Sequence, residues 1–314
     1  MTSERFNWWR ALAQVLGSIE AVRDGRAMYV LLAAFAGAGT ALAMARGALG
    51  QGQLPWAVLE GALGLFIAFY GSQAAGLLLM DRALERPPRE VVDAVADALG
   101  VAHRVLVALL VLLLVGAAAS AVIVGLFWLC GLAVVGPWLY ALVVPLTVIA
   151  IGVMLVAGAT VVGPLTGPIV WAGASSWGTV RQVANLLRQH LLHATALMAG
   201  LSLVTGLVGG GASVVVLVAG RVMAELSVAI LGVTVPAEIL MGGLLGHAVQ
   251  AVDTQVVSPD ALPYIAAANV GGGVVFGLAL VLPTLVYLRG VCEIYLLLAQ
   301  RATAVGDEVQ NPQK

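Results

Sequence analysis

His190 and His193 stand three residues apart, a spacing at which two imidazoles on one helical face can ligate a metal. A metal or haem site needs further donors, and here neither a cysteine nor a carboxylate accompanies the pair. The two histidines are therefore read as part of an amphipathic face near lipid headgroups, and no metal is expected. HExxH, GxSxG and a Walker motif are all missing, so hydrolase, protease and nucleotide-hydrolysis chemistry lack a warrant. No catalytic residue is assigned and no cofactor is expected.

Ionisable side chains in apolar runs are the next candidates, because each costs several kcal/mol in a bilayer unless paired or wet. Only Glu60, Arg289 and Glu293 qualify. Arg289 and Glu293 stand at i and i+4, share one helical face and are expected to pair at the membrane interface. A gate or partner contact is the sharper but less favoured reading of that pair. Glu60 is expected to be a wet interfacial residue. Neutral polar groups in the apolar runs, Ser72, Gln73 and Asn269, form a candidate polar path. Hydrogen bonding between helices, at about 1 kcal/mol each, explains them more simply.

These residues are carried by a chain of 314 residues that is 61% hydrophobic and 10% charged, with mean hydropathy +1.03. Soluble domains are about half apolar and a quarter charged, so the bilayer is the expected solvent. A net charge of −1 argues against a nucleic-acid binder. All basic residues but Lys314 are arginine, a usage that fits a GC-rich bacterial genome.

Six runs reach the roughly 20 residues needed to cross a hydrocarbon core. They cover residues 28–45, 55–80, 105–130, 137–162, 194–219 and 265–288. The run 226–249 carries Pro236, Glu238 and Gly242-Gly243, and is read as re-entrant or interfacial rather than as a seventh span. With both termini inside, six spans place Arg5, Arg10, Arg23, Arg26, Arg82, Arg86, Arg89, Arg104, Arg181, Arg188, Arg289, Arg301 and Lys314 on the cytoplasmic side. Only Arg46 and Arg221 fall outside, a strong positive-inside bias. A bacterial inner membrane with N and C termini cytoplasmic is the expected location. The first span is expected to be retained, since seven charges precede it and the run is too long for a signal peptide. Cys130 and Cys292 fall at opposite faces and should stay unpaired.

Each cytoplasmic segment has a helical period. Phe6, Trp9, Leu12, Leu16, Ile19 and Val22 form the first stripe. Val91, Val92, Val95, Leu99 and Ala102 form the second, after Pro87-Pro88, and Trp177, Val180, Val183, Leu187 and Leu191 the third. Trp9, Val92 and Thr179 recur at a spacing of about 85 residues, and Val95-Ala96-Asp97-Ala98-Leu99 echoes Val183-Ala184-Asn185-Leu186-Leu187. The fold class predicted is all-α: a single polytopic bundle of three tandem units, each an amphipathic helix plus a transmembrane hairpin. The units cover roughly residues 1–80, 81–168 and 169–300, with a polar tail over 301–314. Within it, Gly206 and Gly210 in the fifth span and Gly273 and Gly277 in the sixth are small-xxx-small faces expected to pack on each other. Pro145 and Pro283 are expected to kink their spans.

The mixed-charge helix 89–104, the break Gly163-Pro164-Leu165-Thr166-Gly167-Pro168, the helix 179–193 and the closing Tyr287-Leu288-Arg289 with Glu293 form one layout. It resembles the membrane domain of glycerophosphoryl diester phosphodiesterases and its stand-alone six-span bacterial relatives. No soluble segment is long enough to hold the catalytic domain of those enzymes. The sequence therefore points to a non-enzymatic role, a scaffold, assembly or envelope-homeostasis protein. Its expected partners are membrane lipids and a membrane protein or a second copy. The rival is a transporter or channel for a lipid-like or apolar small molecule, which would need few polar contacts.

Overall fold

The computed structural model describes residues 8–87, 89–132, 136–231 and 262–310. Every regular element among them is helical: α1 Trp8–Leu16, a 3-10 helix Gly17–Arg23, α2 Gly25–Gly50, α3 Leu54–Ala83, α4 Val91–Leu129 and α5 Gly136–Ala157. A π turn Gly158–Val162 leads into α6 Gly163–Trp171, followed by α7 Ser176–Leu231, α8 Leu262–Ala279 and α9 Val281–Gln310. Among the described residues, six stretches are long and apolar enough to cross a membrane, and they correspond one to one with the expected spans. The run 226–249 lies outside the described residues from residue 232 onward.

Local chemistry sets where these helices start, bend and stop. The Asp24 side chain accepts the Ala27 N–H at 3.2 Å and caps α2. Pro55 opens α3, where a missing N–H costs nothing. At its far end Arg86 N donates to Asp81 O and Glu85 N to Arg82 O, a Schellman stop with Glu85 at φ 54. Pro164 has no N–H for the carbonyl of Thr160. The ladder there shifts to Gly163 N on Gly158 O, which makes the π turn. Pro283 likewise breaks the sixth span, which is divided at Leu280 into α8 and α9. Pro145 sits inside α5.

The expected amphipathic helices are built differently from one another. The second is continuous with its span in α4, because nothing between Val91 and Leu129 interrupts the ladder. The third is continuous with the fifth span in α7, bent at His190 (φ −132°, ψ 15°). The first ends at Leu16 and tightens into the 3-10 helix. In the first two the small residues are buried (Ala11, Ser18 and Ala21; Ala94, Ala98 and Ala102). The large apolar residues of the expected stripes face outward, Trp9 at 84% exposure and Val92 at 76%. A bilayer interface is the surface that would cover them.

The chain packs as two compact units. One comprises Met1–Gly17, Leu99–Leu201 and Gly290–Lys314, with Val15, Leu165, Ile169, Leu197, Ile294 and Leu298 fully buried. The other comprises Ser18–Ala98 and Ser202–Arg289, with Leu31, Leu77, Leu79, Met80 and Leu285 at its centre. In the first unit, the apolar stretches of α4 and α5 remain almost wholly exposed, as lipid-facing spans must.

Candidate functional site: a glycine seam and a basic groove

In the unit formed by Ser18–Ala98 and Ser202–Arg289, α2 and α3 form an antiparallel hairpin, and α8 lies against α2. Missing side chains let these backbones meet. A methyl placed on Gly273 would strike the Gly39 carbonyl and come within 2.7 Å of the Ala43 Cβ. One on Gly277 would strike the Phe35 carbonyl, and one on Gly64 would lie 2.9 Å from Leu42 Cγ. Carbonyls this close to glycine Cα hydrogens add weak C–H···O bonds, roughly 0.5–1 kcal/mol each, to the van der Waals contact. The glycine face of the sixth span thus packs on the first span. Gly206 and Gly210 have open space where a Cβ would stand, so the structure does not bring the two glycine pairs together.

The candidate polar path is distributed over that unit. Ser72 Oγ donates to the Ala68 carbonyl of its own helix at 2.7 Å. Gln73 is buried at 7% exposure, and Asn269 on α8 is half-buried. Two concavities stand out among the described residues: a shallow apolar hollow along α7 near Val222 and Leu226, and a groove beside Arg82. Neither is lined by Ser72, Gln73 or Asn269.

Arg289 donates to the Leu79 carbonyl at 3.2 Å in the same unit. Glu293 belongs to the other unit, where it is buried at 7% exposure and accepts from Gln14 Nε2 at 2.6 Å. Each residue of the expected pair is thereby engaged with a different helix. Also in that other unit, Trp8 stacks on His193 at 5.3 Å, and the His193 ring lies edge-on to His190 at 6.3 Å. Among the described residues no group of three or more His, Cys, Asp or Glu is placed to hold a metal ion.

The sequence reading missed an ion network at the end where α2 begins and α3 stops. Asp81, the last carboxylate of α3, is 2% exposed and pairs with Arg89 (Nε–Oδ2 2.7 Å, Nη2–Oδ1 3.2 Å). The N–H at Nε is out of line with Oδ2, so attraction there is that of two charges more than of a hydrogen bond. Arg89 also reaches Asp97 at 2.8 Å, and Arg26 donates to the Arg89 carbonyl. Arg82 pairs with Asp24 at 3.0 Å. Beside this network runs a groove of about 460 Å3 lined by Arg23, Asp24, Gly25, Arg26, Leu78, Arg82 and Arg86. The signal that could have exposed it was Asp81 itself, a carboxylate directly behind an apolar run, which requires a counter-ion.

No family model matches the chain, and no curated protein or solved structure does either.

Proposed function

We propose that the chain is a non-enzymatic protein of the bacterial inner membrane, a scaffold, assembly or envelope-homeostasis factor that acts through helix packing and lipid contacts. The observation that carries the proposal is the seam of Gly39 on Gly273 and Phe35 on Gly277. It closes α2 on α8 in the unit where a solute path lined by Ser72, Gln73 and Asn269 would have to run. A tightly packed seam suits a protein whose task is to hold helices in place. The placement of basic residues supports N and C termini in the cytoplasm. The three tandem helix-plus-hairpin units and the kinship with the phosphodiesterase membrane domain belong to this proposal. Both rest on the sequence pattern. The exposed apolar faces of α4 and α5 are surfaces for lipid, a membrane-protein partner or a second copy.

Three interruptions of the helices favour the transporter reading instead. The π turn, the bend at His190 and the break at Leu280 are points where spans could flex. Reconstitution decides between the two. Proteoliposomes containing the chain should release a lipid-like fluorescent solute no faster than empty vesicles. Density from the protein in a lipid nanodisc should show the α2–α8 seam dry. Saturable solute flux, or a continuous cavity reaching Ser72, Gln73 and Asn269, would replace the scaffold with a transporter.

A further inference from the structure

We infer that the groove between Arg23, Arg26, Arg82 and Arg86 is a binding site for the phosphate of an anionic lipid headgroup. This rests on the lipid-contact part of the proposed function and on no other part of it.

Charge is the first argument. Four guanidinium groups and one carboxylate line the groove, an excess of three positive charges. The carboxylate, Asp24, is already engaged twice, by the Ala27 N–H and by Arg82 at 3.0 Å. Arg26 donates to the Arg89 carbonyl, which ties it to the neighbouring segment. Arg23 and Arg86 form no ion pair among the described residues. The network behind the groove consumes its own charges, with Arg89 serving both Asp81 and Asp97. Among the residues that line the groove, Asp24 is the one carboxylate, and it is already engaged. Guanidinium is the side chain best shaped for phosphate, because its planar fork donates two parallel hydrogen bonds.

Depth is the second argument. The buried apolar face of α2 begins at Ala27, immediately after Arg26. That of α3 ends at Met80, immediately before Asp81 and Arg82. The groove therefore opens within about one turn of the point where both helices leave the hydrocarbon, the level at which lipid phosphates lie. Leu78 supplies an apolar wall on the membrane side. A lipid phosphate is held at this depth by its acyl chains, whereas a free phosphate ion gains nothing from Leu78. Lipid is accordingly the expected source of the anion. The excess positive charge selects a lipid with net negative charge over a zwitterionic one.

The test uses the full-length chain in detergent and in nanodiscs. Native mass spectrometry would follow phosphatidylglycerol against phosphatidylcholine, and inorganic phosphate would be titrated into lipid-free protein. Wild type should retain phosphatidylglycerol selectively and show no saturable phosphate binding. Arg23→Gln with Arg86→Gln should weaken phosphatidylglycerol binding about tenfold or more. Arg23→Lys with Arg86→Lys should keep most of it, and Arg46→Gln, at the other end of α2, should change nothing. A melting temperature equal to wild type in the double Gln variant shows that a loss is local. The inference fails if the double Gln variant retains lipid as wild type does, or if Arg46→Gln loses as much. It also fails if the groove binds inorganic phosphate without preferring phosphatidylglycerol, which would make the free ion the ligand. Solute flux is measured separately, so a failed lipid site and a failed scaffold reading give different results.

Discussion

The carbonyl of Gly39 lies against Gly273 so closely that the Gly273 Cα hydrogen occupies the only space available there. A side chain of any size at Gly273 must push two helices apart. Gly273→Ala should therefore lower stability by about 1–3 kcal/mol, the usual cost of overpacking a filled interface. Gly206→Ala and Gly210→Ala meet nothing within 4 Å. They should be neutral or raise stability by up to ~1 kcal/mol through helix propensity. Thermal unfolding in one detergent, followed by circular dichroism, separates these outcomes. Equal effects at Gly206 and Gly273 would refute the seam.

Removing Arg89 leaves Asp81 buried and uncompensated. Arg89→Ala should cost roughly 3 kcal/mol, the low end of the range for a broken buried pair because the guanidinium is itself 30% exposed. Asp97→Asn should cost under about 1 kcal/mol, since that carboxylate is 52% exposed. Adding Asp81→Asn to Arg89→Ala should restore most of the loss. A double-mutant cycle on the melting temperature measures the coupling, and additivity would show that the pair contributes nothing.

Gln14 holds α1 to the C-terminal helix through Glu293. Gln14→Ala withdraws a donor from a buried carboxylate and should cost about 1–3 kcal/mol. The loss should be local, detaching α1 before the spans melt. Limited proteolysis of the full chain should then cut near Leu16 earlier than in wild type, while the melting of the core shifts little. Unchanged cleavage would show that other contacts hold α1.

Neither cysteine is in a disulfide, Cys130 half-buried past the end of α4 and Cys292 fully buried in α9. In the proposed orientation, a membrane-impermeant maleimide added to intact cells labels Cys130 and leaves Cys292 unmodified. Denatured protein should take up two labels. Labelling of Cys130 only from the cytoplasmic side would invert the topology.

Sequence and structure agree where the signal is one-dimensional. The spans were legible because a run such as 55–80 has no soluble alternative, and its single helix α3 follows from that apolarity. Gly273 and Gly277 were legible as a small face, but their partner was not. Choosing Gly39 and Phe35 over Gly206 and Gly210 depends on how distant segments meet, which residue spacing does not encode. The helical period of the stripes was legible, but not how the helices that carry them are joined to the spans. Trp9 and Val92 face outward, since in a membrane protein the largest apolar side chains need not point inward. The bend at His190 has neither proline nor glycine to announce it. The Arg89 network was overlooked because Asp81 and Arg89 lie eight residues apart across a turn, beyond the reach of any helical pairing rule.

The π turn at Gly158–Val162 makes the fourth span one residue longer than an α-helix on the same course. Deleting a residue such as Ala159 would turn the bond from Gly163 N to Gly158 O into an ordinary α-helical step and leave everything beyond it on the same course. Leu165 and Ile169, both fully buried, would keep the core face. An added residue finds no such slack and would rotate them away from it by about 100°. Hairpin turns at the membrane surface tolerate insertions and deletions alike, but this stretch can only shed a residue. Descendants of this chain can shorten the fourth span here far more easily than they can lengthen it.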